Sequence, residues 1–153
     1  MEMILTWWQS NRRDFPWRRT TDPFRLLVAE MLLQRSRSGS VTQIYLDLFN
    51  RWPTPQELAR ADVSEIENLI RPLGLMSRAT KIKAVADAWI ARDTPPTNSK
   101  DLQELPGVGP YSANATSIAM SWDAEPCVDS VSIRVFRRYL GDQESDESDL
   151  HVA

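Results

Sequence analysis

The sequence contains one glycine-rich segment with clear chemical content, Leu105-Pro106-Gly107-Val108-Gly109-Pro110-Tyr111. Its two glycines lie between a short predicted helix and a longer one that has proline in its first turn. Without Cβ atoms in the way, backbone N–H groups there can approach an anion, and the following helix N-terminus adds partial positive charge. Such a hairpin can bind a DNA phosphate without recognising base sequence. The spacing alone is also compatible with a plain turn between two helices.

Hydrophobic residues recur at helical spacing on both sides of this stretch. Apolar side chains follow the i, i+3, i+4, i+7, i+8 pattern over residues 41–49 and 82–90, and no segment alternates with period two. Thr54…Glu57 and Ser64…Glu67 each have the spacing of a capping box. The sequence therefore predicts an all-α fold. The predicted helices cover residues 2–11, 23–36, 40–51, 55–61, 64–71, 78–92, 99–104, 110–121 and 130–140.

The composition and the length of 153 residues are those of a single domain or of two small lobes, and the chain is long enough to bury a core without disulfides or a structural metal. Cys127 is the only cysteine, so the chain can form neither an internal disulfide nor a four-thiolate metal site. No apolar run reaches the roughly 18 residues of a membrane span, and the first ten residues lack secretory features. We expect a cytoplasmic protein without a membrane partner.

The net charge of −3 conceals an uneven distribution. Five of the 21 acidic residues lie in the last twelve positions, so residues 1–141 carry 18 basic and 16 acidic side chains. Fifteen of the basic residues are arginine, whose planar guanidinium suits bidentate phosphate contacts. They concentrate in residues 12–37 and again in residues 134–138, where Arg134 is a candidate for DNA binding. Charge alone leaves open that these arginines are solvated on helix faces.

Asp129 is a second candidate for chemistry, eighteen residues after Tyr111. It stands directly before a predicted helix, and it lies near the glycine hairpin if that helix packs antiparallel to the one after the hairpin. Aspartate at a helix start is most often an N-cap, and a capped carboxylate has few rotamers left. The sequence therefore leaves open whether Asp129 is a helix cap, a catalytic group, or both.

Glu30 lies in the most apolar stretch of the chain, residues 26–33. Burial there would raise the pKa of its carboxyl and make it a suitable proton donor near neutrality. Gln34 and Arg37 follow at i+4 and i+7, so one polar stripe on a single helix could instead carry all three side chains to the surface. Both interpretations remain open.

Five separated motifs occur in a fixed order over about residues 4–141. They are Phe15-Pro16-Trp17, Glu30 with Gln34-Arg35, Leu73-Gly74-Leu75, the hairpin 105–109 and Val128-Asp129. Together they resemble the helix-hairpin-helix DNA glycosylase superfamily, which includes endonuclease III and the mismatch-specific adenine and thymine glycosylases. The resemblance implies a six-helix core over residues 22–140 that contains the helix-hairpin-helix motif, and a cytoplasmic, nucleoid-associated enzyme acting on double-stranded DNA with a mismatched or damaged base.

The resemblance also implies a role for each motif. Asp129 would be the catalytic carboxylate, assisted by Glu30 and Tyr111, and Trp17 would line the pocket for a flipped base. Arg35 and Leu75 would enter the duplex where the base leaves. Without the resemblance, Leu75 would be interpreted as a core leucine after a helix-ending glycine. The residues expected to bind DNA are Leu105, Gly107, Val108, Gly109, Gln34, Arg35, Leu75 and Arg134.

Tyr111 bears on the type of reaction. Bifunctional relatives have at this position the lysine that forms a Schiff base, so the resemblance implies a monofunctional enzyme that leaves an abasic site. Tyrosine here resembles the thymine glycosylases that act on T opposite G, whereas Glu30 matches the proton donor of the adenine enzymes. We expect T or U opposite G as the substrate, with A opposite G or 8-oxoguanine as the alternative.

The sequence departs from the family after Gly141. Relatives continue with several helices and a four-cysteine iron–sulfur motif, which pack with the N-terminal helix as a second lobe. One cysteine cannot hold that cluster, so we expect no cofactor in this chain beyond a monovalent cation that the hairpin carbonyls can bind. Residues 1–21 and 141–153 are expected to be remnants of an incomplete second lobe, with a disordered acidic tail. An apolar patch on the first helix, at Ile4, Leu5, Trp7 and Trp8, could then bind a protein partner or a second copy.

Two other classes of function remain open. A truncated, noncatalytic helix-hairpin-helix module would bind duplex DNA with strong salt dependence and leave every base in place. A helical interaction protein would bind a partner through its first helix and acidic tail and would have no measurable DNA affinity.

Overall fold

A computed structural model describes residues 2–141, and no strand occurs in that range. The α-helices are α1 Glu2–Asn11, α2 Pro23–Leu33, α3 Ser38–Arg51, α4 Pro55–Arg60, α5 Val63–Ile70, α6 Ser77–Ile90, α7 Ser99–Gln103, α8 Pro110–Ala119 and α9 Ser130–Leu140, with 3₁₀ turns at Pro16–Arg18 and Arg71–Leu73. The predicted all-α class is confirmed. The acidic tail from Asp142 onward lies outside the described residues. None of the described helices is long and apolar enough to cross a membrane.

One of the two predicted capping boxes is confirmed. Thr54 Oγ1 accepts from the Glu57 N–H at 3.2 Å, and the Glu57 carboxylate accepts from the Thr54 N–H at 3.0 Å. The box predicted at Ser64 is wrong, because α5 already begins at Val63 with Asp62 in the N-cap position. The carbonyl of Asp62 accepts the first backbone hydrogen bonds of that helix.

The helix predicted over residues 23–36 ends three residues early, at Leu33. Gln34 is its C-cap, Arg35 has a left-handed backbone with φ of 55°, and Arg37 is already the N-cap of α3. Arg37 therefore does not belong to the helix that carries Glu30. The single polar stripe considered for Glu30, Gln34 and Arg37 is wrong because the backbone changes direction between them.

Helix α2 is the centre of the core. Leu27, Val28 and Leu32 are fully buried, and α2 packs against α3, α6 and α8. Burying each such side chain contributes about 1.5–3 kcal/mol, so the packing of α2 dominates the local stability. This packing places the C-terminus of α2 beside the first turn of α8.

The first and last described helices present apolar side chains to solvent. On α1 these are Met3, Ile4, Leu5, Trp7 and Trp8, and on α9 they are Val131, Val135, Phe136 and Tyr139. The apolar patch predicted on the first helix is confirmed in the part of the chain that the structure describes. The helix predicted over residues 130–140 is also confirmed, and Ile133 is buried on it.

Candidate active site

A cleft of about 540 Å³ opens where the end of α2 meets the starts of α8 and α9. It is lined by Glu30, Leu33, Gln34, Gly109, Pro110, Tyr111, Ser112 and Asp129. Residues at the end of α2 and the start of α8, more than 70 positions apart in the chain, line the same cleft because the two helices pack together. Of the site residues expected from the sequence, the cleft brings together Glu30, Gln34, Gly109, Tyr111 and Asp129.

Asp129 caps α9 with one of its two carboxylate oxygens. Oδ1 accepts from the Val131 N–H at 3.1 Å, the Ser132 N–H at 2.7 Å and the Ser132 hydroxyl at 2.9 Å. No hydrogen bond within residues 2–141 uses Oδ2. The hydrogen bonds from Ser132 hold the pKa of this carboxyl below its usual value, so Asp129 is ionised at neutral pH. A fixed negative charge with one unoccupied oxygen therefore borders the cleft.

Glu30 lies half-buried between two cavities. Together with Leu33 it lines both the Asp129 cleft and an adjoining cavity of about 1020 Å³. Burial raises the pKa of the Glu30 carboxyl above its usual value. The interpretation of Glu30 as a desolvated carboxyl is thus supported over that of a solvated surface group. The cleft contains an ionised carboxylate and a carboxyl biased toward its protonated form.

The raised pKa of Glu30 predicts a pH-dependent effect on stability. Because the folded-state pKa lies above that of the unfolded chain, the stability that Glu30 contributes is present below the unfolded pKa and is lost as the pH rises through the folded pKa. We expect Glu30→Gln to raise the melting temperature at pH 7, and we expect the gain to shrink toward pH 4. Thermal unfolding at several pH values measures this, with Glu125→Gln at an exposed carboxyl as the control. A gain that is equal at pH 4 and pH 7 would contradict the prediction.

Tyr111 lines the cleft, and Cys127 lies beside Tyr111. Burial, followed by the negative charges of Glu30 and Asp129, raises the pKa of the Tyr111 hydroxyl, and the same causes raise the pKa of the Cys127 thiol. Both groups are therefore neutral at pH 7. The Cys127 thiol lies 3.9 Å from the carbonyl oxygen of Tyr111, which can accept from it. Sequence analysis considered Cys127 only for disulfides and metals and missed this position.

The glycine hairpin uses its two glycines differently. Gly107 has φ of +76°, whereas Gly109 has an ordinary φ of −87° and a Cβ there would meet no atom within 4 Å. The positive φ at position 107 thus requires glycine, whereas Gly109 leaves open space at the N-terminus of α8. The side chains of Leu105 and Val108 are buried, so these two residues can offer DNA their backbone only.

Arg35 and Leu75 both line a separate cavity of about 510 Å³, which Gln34 and Lys81 also line. Both residues have a left-handed backbone conformation, with φ of 55° for Arg35 and 53° for Leu75. Such conformations cost non-glycine residues about 1–3 kcal/mol and cluster at functional sites. Leu75 is 47% exposed, so its interpretation as a core leucine is wrong. The two residues expected to enter the duplex thus border one cavity, and each has a strained backbone conformation.

Two basic residues beside this cavity were missed by sequence analysis. Arg78 is buried and hydrogen-bonds the turn that carries Arg35. Lys81 is exposed, and its Cδ lies 3.5 Å from the position that a Cβ on Gly107 would take. The side chain of Lys81 therefore lies beside the glycine hairpin, and the residue also lines the cavity of Arg35 and Leu75. Neither residue belongs to a motif of the sequence, and both were found from packing alone.

Trp17 and Arg134 lie outside the Asp129 cleft. Trp17 is buried, stacks on Phe15 with ring centroids 4.8 Å apart and meets the edge of Tyr45. It contributes to the wall of the larger cavity that Glu30 shares, although Phe15 covers one face of its ring. Arg134 is exposed on α9 and does not line the cleft.

Comparisons with known proteins agree with this arrangement. The model of the HhH-GPD superfamily of base excision DNA repair proteins matches residues 28–151. A thymine/uracil-DNA glycosylase of Pyrobaculum aerophilum is 35% identical over 144 residues, which are 92% of this chain and 63% of that protein. An adenine DNA glycosylase of Mycobacterium tuberculosis is 35% identical over 139 residues, 88% of this chain and 45% of that protein.

A solved structure of a thermostable thymine-DNA glycosylase superposes with a TM-score of 0.82 at 38% identity. The match covers 92% of this chain and 66% of that one. The chain thus spans less than two thirds of the length of the curated relatives described above.

Proposed function

Because the chain belongs to the HhH-GPD superfamily of base excision DNA repair proteins, we propose that it is a monofunctional DNA glycosylase acting on T or U opposite G. It would flip the mispaired base from the duplex and hydrolyse its N-glycosidic bond. The observation that carries the proposal is the ionised Asp129, which is fixed at the start of α9 and lines the same cleft as Glu30 and Tyr111, with Oδ2 making no hydrogen bond within residues 2–141.

The charge of Asp129 suits this reaction. Breaking an N-glycosidic bond builds positive charge on the sugar, which a carboxylate close to C1′ stabilises. Since Oδ1 is used by the helix cap, Oδ2 is the oxygen that can face the sugar or orient the attacking water. The cap also restricts the side chain, so little ordering is needed when the substrate arrives.

The lysines of the chain support hydrolysis without strand cleavage. Amine attack on the sugar requires a lysine in the cleft, and Tyr111 occupies the position where bifunctional relatives have one. Lys81 packs on Gly107, and Lys83 hydrogen-bonds the carbonyl of Ala59. Lys100 lines a different cavity beside Asp123 and Glu125. None of the three lines the Asp129 cleft.

The identity of the base rests on opposing arguments. The thymine/uracil-DNA glycosylase relative and the tyrosine at position 111 favour T or U opposite G. The adenine DNA glycosylase relative and the raised pKa of Glu30 favour adenine, whose departure benefits from a proton donor. Thymine lacks the basic N7 of adenine and needs less protonation. Glu30→Gln should therefore be mild for T or U opposite G and severe for A opposite G or 8-oxoguanine.

The iron–sulfur cluster of longer relatives does not fit the residues of this chain. The 153 residues include one cysteine, and a cluster held by four thiolates cannot be built from it. No step of the proposed reaction uses a cofactor. A monovalent cation on the hairpin carbonyls, a protein partner at α1 and a cytoplasmic, nucleoid-associated location stay predictions.

Single-turnover assays on labelled duplexes test the function. The panel contains T:G, U:G, A:G, A opposite 8-oxoguanine and matched pairs, with alkali added to cut abasic sites and borohydride added to a parallel set. We expect alkali-dependent cutting of T:G and U:G and no borohydride-trapped adduct. Efficient trapping would contradict the monofunctional mechanism. Salt-sensitive binding without any cutting would favour the noncatalytic DNA-binding module.

The position of Lys81 predicts its effect on DNA binding. The aliphatic part of its side chain lies beside Gly107, and the residue also lines the cavity of Arg35, so we expect its ammonium to reach a phosphate held by the hairpin. We expect Lys81→Ala to weaken binding to every duplex alike and to reduce the slope of log K against log salt by about one. Binding titrations at several salt concentrations measure the slope. Lys100→Ala, in acidic surroundings, is the control and should leave the slope unchanged. Equal slopes for all three proteins would exclude a Lys81–phosphate contact.

A further inference from the structure

A buried arginine hydrogen-bonds the turn that carries Arg35. Arg78 lies in the first turns of α6 and is 4% exposed. Its Nη1 donates to the carbonyl oxygen of Leu32 at 2.7 Å, and its Nη2 donates to that of Gln34 at 2.6 Å. Nη1 also donates to the hydroxyl of Ser36 at 3.1 Å. The acceptors lie on both sides of Arg35 in sequence, so one planar guanidinium holds the whole turn.

The main chain of the same residue holds a second turn. The Arg78 N–H donates to the carbonyl oxygen of Leu75 at 2.9 Å. Leu75 and Arg35 are both in the left-handed region, which non-glycine residues occupy only where the surroundings over-determine their conformation. Arg78 is bonded to both turns, through its side chain to one and through its backbone to the other. It is therefore the physical link between the two strained conformations.

We propose that Arg78 is a positioning residue for base extrusion, which keeps Arg35 and Leu75 together as a preorganised wedge. The inference rests on the proposed function, since a wedge is needed only where a base is flipped from the duplex. Filling the gap offsets part of the unstacking cost, and side chains that are already in place need not be ordered at that moment. Arg78 does not line the Asp129 cleft and acts through the other two residues.

Arginine is required here by geometry rather than by charge. The fork of the guanidinium reaches the carbonyls of Leu32 and Gln34 simultaneously, whereas a lysine ammonium is a single point on a flexible stem. Arg78→Lys therefore keeps the charge and removes the fork. Arg25→Lys is the matched control, because Arg25 also donates to a distant carbonyl, that of Pro53 at 3.0 Å, but in another part of the fold.

Limited proteolysis tests the positioning without any need for activity. Trypsin cleaves after arginine, and its rate at a held turn follows the fraction of time that the turn is open. We expect Arg78→Lys to be cleaved after Arg35 about tenfold faster than the wild-type chain, with Arg25→Lys unchanged at that bond. Should Arg78→Lys fail to fold, Ser36→Ala removes only one of the three acceptors and should give a smaller increase. An unchanged rate after Arg35 in both variants would overturn the proposal.

A double-mutant cycle on the full chain tests the coupling to extrusion. The readouts are the single-turnover rate on the duplex that the wild-type chain cuts and the fluorescence of 2-aminopurine placed beside the target base, which rises when that base is unstacked. We expect Arg78→Lys to lower the single-turnover rate and the rise in fluorescence by about tenfold. In an Arg35→Ala background we expect no further loss, because the effects of substitutions at coupled residues are not additive. Arg25→Lys should be additive with Arg35→Ala. Full additivity of Arg78→Lys would mean a general stability effect and would overturn the inference.

The two proposals fail in distinguishable ways. If the wild-type chain neither cuts any duplex nor raises the fluorescence, the proposed function is wrong. A tenfold faster cleavage after Arg35 in Arg78→Lys would then still establish that Arg78 holds the turn. The role of Arg78 in base extrusion would be wrong together with the proposed function. If the wild-type chain does both and Arg78→Lys behaves like it, only the inference about Arg78 is wrong.

Discussion

Asp129→Asn is expected to reduce single-turnover base release by about 10²–10³-fold while leaving the fold intact, because it removes the charge that would stabilise the positive sugar. Asparagine is as good an N-cap as aspartate. Its side-chain oxygen can accept the same hydrogen bonds from the Val131 and Ser132 N–H groups. The substitution thus separates the two roles that the sequence left open for this residue. The rate on the labelled duplex panel and the melting temperature are the measurements.

Asp22→Asn is the matched control for this experiment. Asp22 caps α2 in the same manner, with its Oδ1 accepting from the Phe24 N–H at 2.9 Å and the Arg25 N–H at 3.2 Å, and it does not line the cleft. We expect this variant to retain base release. A rate for Asp129→Asn within a factor of a few of the wild-type rate would mean that Asp129 is only a cap.

Gly107→Val is expected to weaken DNA binding about tenfold or more. Gly107 has φ of +76°, where a β-branched residue is strongly disfavoured. The strain of about 1–2 kcal/mol is relieved when the hairpin moves away from this conformation, and its backbone N–H groups then no longer converge on one phosphate. Fluorescence anisotropy with a labelled duplex at fixed salt measures the affinity, because salt alone changes it by orders of magnitude.

Two other glycines separate this effect from a general cost of substitution. Gly39→Val is the matched control, since a Cβ at Gly39 would meet no atom within 4 Å and this residue lies in the first turn of α3. It should bind DNA like the wild-type chain. Gly109→Ala should leave the fold unchanged but weaken binding if the DNA backbone approaches the N-terminus of α8. Wild-type affinity for Gly107→Val in a folded protein would mean that the hairpin does not bind phosphate.

The elements that could be predicted from the sequence are those set by contacts within a few residues. Helix α9 begins after Asp129 as expected, because the cap is a hydrogen bond between residues three apart. The box at Thr54 has the same origin. The box at Ser64 failed because the helix already begins two residues earlier, where the carbonyl oxygen of Asp62 accepts the first backbone hydrogen bonds. Local patterns indicate that a helix starts, and neighbouring polar groups decide at which residue.

The all-α class, the glycine hairpin and the capped carboxylate could be predicted from the sequence, since periodicity, backbone freedom and capping act over short distances. The burial of Glu30, the end of α2 at Leu33 and the position of Arg35 and Leu75 at one cavity depend on tertiary packing. The reason is that the decisive partners are remote in sequence: the side chain of Arg78 bonds carbonyls more than 40 residues away. A left-handed arginine or leucine is unfavourable in isolation, so no local pattern predicts it. The packing of α6 against α2 brings Arg78 to the turn of Arg35 and supplies the hydrogen bonds that hold that turn.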